Sequence, residues 1–310
     1  MKNRYYKIPD AGDPSDVLQL FPRYNLQILC CRYWWLKKWE FKELTYPYWR
    51  IYYNKTEGAK IFYNKKVYPL NPDTIILIAP NTSFKSSLTG EISFKKEYEL
   101  EGGRVESKEK EREVEEKSGV LHMFIHFNLG MPYDNIPPGV FVSKLNSHLK
   151  EKIHTIIDHL HTNFRRFSFY SSLDVQALIA GVLSDIPKSK WDLISKDYRV
   201  LDIISFIEKN IKLSLTNQVL AQRAKMAPNA FTRLFRNETG VSPQKYIKRK
   251  RIEEACILLH HSNHTIEQIA VKCGFADRFH FSRIFKQITN MPPAWYRKEF
   301  ELTHKPNKPK

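Results

Sequence analysis

The 310-residue chain is long enough for two domains. Its 42% hydrophobic content supports real cores and excludes a chain that is disordered throughout. Formal net charge is +17, with 50 basic against 33 acidic side chains, and 22 Lys/Arg against 10 Asp/Glu lie from Ser195 onward. Such a field favours a polyanion, nucleic acid ahead of an anionic membrane surface.

Met1-Lys-Asn-Arg-Tyr-Tyr opens the chain without an apolar core of signal-peptide type, and no run approaches the ~18 apolar residues of a membrane span. Cys30, Cys31, Cys256 and Cys273 form no C-x-x-C pair. This argues against a disulfide framework or a thiolate zinc site and fits a reducing cytosol. A cytoplasmic protein with no membrane partner is expected.

Residues Tyr33 to about Phe141 read as β. Trp49-Arg-Ile-Tyr-Tyr, Lys60-Ile-Phe-Tyr-Asn, Thr74-Ile-Ile-Leu-Ile-Ala and Leu121-His-Met-Phe-Ile-His-Phe are short runs of aromatic and β-branched residues between turn residues. Asn64-Lys65 signals a hairpin, and the close spacing of many strands predicts a small barrel or sandwich. His122, Phe124 and His126 alternate, so both imidazoles share one strand face, either as polar groups of a pocket or as satisfied core histidines. The charged stretch from Lys95 to Lys117, with Gly102-Gly103, reads as a solvated loop or an extended hairpin between barrel strands.

From Leu145 the period changes. Leu145, Leu149, Ile153, Ile156, Ile157 and Leu160 recur at helical spacing, as plain core or as a dimer seam. A second helix follows near Leu173 to Leu183. Pro187-Lys-Ser-Lys reads as a linker, and Asp197 to about Lys298 reads as helices with short turns.

That last region contains a duplication. Leu220-Ala221 is followed by Phe231-x-Arg233-x-Phe235-Arg236, Gly240, Pro243 and Tyr246; Ile269-Ala270 is followed by Phe281-x-Arg283-x-Phe285-Lys286, Asn290, Pro293 and Tyr296. In the second copy Thr265 and Gln268 form a capping box, Gly274 ends the first helix and Asp277 caps the next. Two short helices joined by a tight turn make a helix-turn-helix, whose second helix enters the DNA major groove. The face opposite Phe281, Ile284 and Phe285 carries Arg278, Phe279, Ser282, Arg283 and Lys286. In the first copy Thr216 caps, Pro228 opens the second helix, and Asn229, Thr232, Arg233 and Arg236 are the exposed set. Ser242-Pro243 starts a longer connecting helix, whose run Lys248-Arg249-Lys250-Arg251 suits phosphate contacts.

These residues resemble the DNA-binding domain of the AraC/XylS family of bacterial transcription regulators. The carriers are Ile266-x-x-Ile269-Ala270-x-x-x-Gly274-Phe275, Phe281-x-Arg283-x-Phe285-Lys286 and Pro293-x-x-Tyr296-Arg297. The likeness covers about 100 residues. Three positions depart from the pattern: Asn290 for a common Gly, Ala227 for a capping Ser or Thr, and Lys225 for a turn Gly. The resemblance implies an α+β multidomain protein. A cupin-like effector-binding β-barrel spans 1–144, linker or dimerisation helices 145–194, and the tandem helix-turn-helix domain 195–300, with a tail at 301–310. It implies double-stranded DNA as partner, a small effector, a homodimer, and contact with RNA polymerase; aromatic surface beside polar groups, together with the resemblance, points to a small polar effector such as a carbohydrate near Trp49, His122 and His126. Neither a metal nor a cofactor is expected. The rival from another class is a cupin-type metal enzyme with a nucleic-acid-binding appendage, and a third reading is an architectural DNA binder without sequence preference.

Overall fold

A computed structural model describes residues 24–88, 98–130, 132–191, 197–289 and 291–301. Among the described residues nine antiparallel strands come first: β1 (Gln27–Leu44), β2 (Trp49–Asn54), β3 (Ala59–Tyr63), β4 (Lys66–Leu70), β5 (Thr74–Ile78), β6 (Phe84–Ser87), β7 (Tyr98–Arg104), β8 (Val120–Asn128) and β9 (Val140–Lys144). Their order is β4-β3-β6-β1-β8-β2-β5-β9, with β7 also paired to β1. The sheet curls into a nearly closed barrel, because Leu70 of β4 shares one interior core with Ile76 and Ile78 of β5. Asn64 and Lys65 both take positive φ (50° and 63°), which makes the expected tight hairpin between β3 and β4.

The central strands are buried on both faces, and every residue of β2 is buried. Trp34, Leu36, Trp39, Tyr52 and Phe84 fill the barrel. The outer face, with Ile51, Met123, Ile125 and Phe127, is covered by α2 (Ser147–Asn163) and α3 (Phe169–Ser184). Leu149, Ile153, Ile156, Ile157 and Leu160 of α2 are therefore monomer core, each worth roughly 1.5–3 kcal/mol of burial. The two helices belong to the same core as the strands.

The charged stretch is not a plain loop or hairpin. After β7 the chain forms α1 (Lys108–Glu115), started by Ser107, whose side chain accepts from Lys110 N. Only Glu111 and Val114 of this helix are buried, so it carries almost no apolar period. Glu111 accepts a hydrogen bond from Tyr33 Oη (3.0 Å) and pairs with Lys55 Nζ. Gly102 lets β7 approach β1, since a Cβ there would collide with the Trp35 carbonyl.

Seven helices follow among the described residues: α4 (Tyr198–Lys209), α5 (Asn217–Arg223), α6 (Pro228–Thr239), α7 (Pro243–His261), α8 (Ile266–Lys272), α9 (Arg278–Thr289) and α10 (Pro293–Glu301). They build two cores. Phe231 and Phe235 join α4 in one, while Phe281 and Phe285 join α10 in the other. Helix α7 feeds both, with Tyr246 and Ile247 in the first and Ile252, Ala255, Cys256 and Leu259 in the second. Its 19 residues make a rod about 28 Å long that fixes the two units relative to each other.

Candidate nucleic-acid interface and its contact with the barrel

The duplication in sequence becomes a duplication in geometry. Met226 N donates to Ala221 O, and Phe275 N to Ala270 O, both at 2.9 Å. The Phe231–Phe235 and Phe281–Phe285 ring pairs lie 5.7 and 5.5 Å apart. Tyr246 and Tyr296 each stand edge-on to the second Phe of their unit. Thr239 and Thr289 Oγ1 each donate to the carbonyl four residues back, at 2.7 and 2.8 Å.

Capping separates the copies. In the second, Thr265 and Gln268 complete the capping box, Gly274 takes φ 77°, and Asp277 Oδ1 accepts from Phe279 N and His280 N at 2.8 Å. These backbone bonds hold the Asp277 carboxyl below its ordinary range. In the first, Lys225 is held at φ 53°, and Ala227 offers no side-chain cap to α6. Asn290 lies outside the described residues.

The outward faces match the sequence expectation. On α6, Asn229, Arg233 and Arg236 are exposed and Thr232 is half-buried, its hydroxyl donating to Pro228 O (2.8 Å). On α9, Arg278, Phe279, Arg283 and Lys286 are exposed and Ser282 is half-buried. Phe279 is 72% exposed, with the Arg278 guanidinium 4.9 Å from its ring centroid, so it does not pack under the first helix. This leaves two helix faces with cationic and hydrogen-bonding groups available to phosphate and base edges.

The Lys248–Arg251 run divides. Lys248 is exposed, while Arg249 is half-buried near Glu253 (3.9 Å). Arg251 donates to Ile211 O (3.0 Å) and Leu213 O (2.8 Å), which braces the α4–α5 turn. Lys250 turns inward, because α7 presents successive residues about 100° apart and that face of the rod meets the barrel domain. Its Nζ lies 2.7 Å from Glu253, 3.6 Å from Glu208 and 3.8 Å from Asp134.

Asp134 is buried, and burial raises its carboxyl from 3.8 to about 7, with Lys250 acting in the opposite sense. Its Oδ1 accepts from Trp49 Nε1 (3.0 Å) and Leu129 N (2.8 Å). Next to it, Asn135 Nδ2 donates to Thr239 O (2.7 Å) at the end of α6. A second bridge joins Tyr48 and Tyr296, whose hydroxyls are 3.4 Å apart, with Tyr46 edge-on to Tyr296. Sequence reasoning missed these residues because nothing local marks an aspartate or a tyrosine that meets another domain.

The expected effector cluster does not assemble as one pocket. Strand alternation places Trp49 opposite Phe127, on the helix-covered face, where it is fully buried and stacks on Phe127. His122 and His126 do share the interior face, opposite Asn54 and Arg50. His122 Nδ1 meets Asn54 Oδ1 at 2.7 Å, and burial pushes the imidazole down to about 3, so it is neutral at physiological pH. Arg50 is fully buried, 4.4 Å from the Tyr46 centroid and 4.7 Å from that of Phe84. Among the described residues no three His, Cys, Asp or Glu side chains gather as a metal-ligand set.

A helix-turn-helix domain family matches residues 220–299. The transcriptional activator RhaS of Salmonella schwarzengrund is 29% identical over 99 residues, 32% of this chain and 36% of RhaS. The match thus spans about a third of the length of such curated relatives. ToxT of Vibrio cholerae shares the fold over 89% of this chain and 98% of its own, at 13% identity and TM-score 0.51. A ToxT structure with an unsaturated fatty acid bound aligns with TM-score 0.50 at 13% identity, over 89% of this chain and 97% of ToxT. The C-terminal unit of this chain is a tandem helix-turn-helix domain, similar over its length to that of the activator RhaS and carried behind a β-barrel.

Proposed function

We propose that this protein is a sequence-specific DNA-binding transcription regulator whose barrel domain senses a small effector. The observation that carries the reading is the pair of equivalent helices, α6 and α9, which hold Arg233, Arg236, Arg283 and Lys286 outward on one rigid rod. Each helix enters a major groove, and Lys248 with Arg249 contacts phosphate between them. The likeness to RhaS supports regulation, and the likeness to ToxT, solved with a fatty acid bound, supports small-molecule control.

The effector acts on the interior face of the barrel, beside His122, His126 and Arg50; a small polar molecule such as a carbohydrate fits the resemblance. The signal runs from His126, whose ring centroid is 4.9 Å from that of Tyr48, to Tyr296 and α9. A parallel route runs from Trp49 through Asp134 to Lys250. The protein works in the cytoplasm as a homodimer, joined by the exposed Phe169, Tyr170 and Leu173 of α3, and engages RNA polymerase once on DNA.

Footprinting of the full chain on DNA selected from random sequence tests the reading. Two protected stretches about one helical turn apart are expected, with affinity falling roughly 10³–10⁵ between 50 and 200 mM salt if about 6–10 phosphates are contacted. Uniform binding to all sequences would transfer the protein to the architectural class, and metal-dependent turnover without a footprint would favour the barrel enzyme.

A further inference from the structure

The two helix-turn-helix units are held by different means, and the difference falls on the outward face of α6. Gln244, at the start of α7, donates through Nε2 to Leu215 O (2.8 Å) and to Asn217 Oδ1 (3.1 Å). Asn217, at the start of α5, in turn directs its Nδ2 to Thr232 Oγ1 of α6, 3.5 Å away. The equivalent positions of the second unit are Ala294, Ile266 and Ser282. Alanine and isoleucine carry no side-chain donor or acceptor, so this relay belongs to the first unit.

The relay decides what Thr232 can offer to DNA. A threonine hydroxyl has one proton. In Thr232 that proton goes to Pro228 O, four residues back, at 2.8 Å. A helical threonine can make such a bond in two rotamers. Asn217 favours the one that also brings Oγ1 toward α5. The hydroxyl is thus engaged on the α5 side and holds no proton for a base edge. Oγ1 and Cγ2 stand about 120° apart on a staggered Cβ. The methyl is therefore the group that this half-buried side chain leaves to the outer face, beside the exposed Asn229 and Arg236.

A free hydroxyl can donate or accept, so it discriminates little between bases; a fixed methyl selects. In the major groove thymine alone among the four bases presents a methyl, and a threonine methyl packs on it. We infer that Thr232 reads a thymine through its methyl group in the half-site that α6 enters, and that Asn217 and Gln244 are positioning residues for it. The inference rests on the proposed entry of α6 into a major groove.

The test uses the full-length chain and the duplex it selects from random sequence, with each thymine replaced singly by deoxyuridine, which lacks the methyl. Fluorescence anisotropy reads the affinity. At one thymine the uracil duplex should bind the wild type roughly fourfold more weakly, the worth of one buried methyl-sized group. Thr232→Val keeps a methyl and loses the hydroxyl, so it should keep that penalty. Thr232→Ser keeps the hydroxyl and loses the methyl, so it should erase the penalty at that thymine and at no other. Gln244→Met should shrink the same penalty, whereas a merely structural role would weaken every duplex alike. The inference is overturned if no uracil penalty depends on Thr232, if Thr232→Val loses the penalty, or if Gln244→Met leaves it whole. A chain that selects no sequence at all overturns the entry of α6 into a groove, and the inference with it.

Discussion

Substituting Asp134→Asn tests the contact between barrel and DNA-binding domain. The carboxyl sits at about 7, against an ordinary value of 3.8, chiefly through burial. It faces Lys250 and Glu253 of α7 and Glu208 of α4, together with the neutral Trp49 indole. Because the folded value is raised, the protonated acid favours the folded state. That stability is fully present below pH 4 and is lost as pH rises to about 7. Each pH unit in this window removes up to about 1.4 kcal/mol, so roughly 4 kcal/mol is the upper bound. An asparagine still accepts from Trp49 and Leu129 but carries no charge, and Lys250 keeps Glu253 at 2.7 Å. Urea unfolding followed by tryptophan fluorescence, at pH 5 and pH 8, reads the difference. Asp134→Asn should outlast the wild type by about 2–4 kcal/mol at pH 8 and by clearly less at pH 5. Parallel pH profiles, or a variant weaker than wild type at pH 8, would refute the reasoning.

Lys225→Gly should stabilise the first unit by about 1 kcal/mol, because a lysine is held at φ 53°; a loss of stability would show that the lysine makes a compensating contact. Gly274→Ala should cost about 2–3 kcal/mol, since φ is 77° and a Cβ would lie 2.9 Å from Ile211 O; thermal unfolding reads both substitutions. Ala227→Ser should supply the missing cap of α6 and add about 1 kcal/mol, and an unchanged melting temperature would count against it. Arg233→Ala and Arg283→Ala should each cost about 1–3 kcal/mol of DNA binding and relax preference at different bases, while Lys248→Ala weakens all sequences alike. Binding selections in which both arginine variants relax the same base would remove the two-groove model.

Much of the C-terminal domain was legible in the residues. Its caps, turns and apolar spacing are short-range devices, and the capping box at Thr265, the positive φ at Gly274 and the proline start of α6 all stand where local chemistry puts them. The outward faces of α6 and α9 followed from helical period alone. The β nature of the described residues from Tyr33 to about Phe141 and the shared face of His122 and His126 were equally local, because strand alternation is a period of two.

Other features depended on which surfaces meet. Trp49 looked like a pocket wall, but a sheet covered on both faces sends it outward under α2 and α3 while His122 faces inward. Helix α1 hid in a run of charges, since two buried side chains suffice once Tyr33 and Lys55 close over Glu111. The basic run on α7 looked uniform, yet the barrel's approach takes Lys250 inward and leaves Lys248 to solvent. Sequence determines what each segment can form by itself, through backbone propensity and side-chain period. Only the tertiary structure decides which face becomes interior, since burial is a property of the neighbour as much as of the residue.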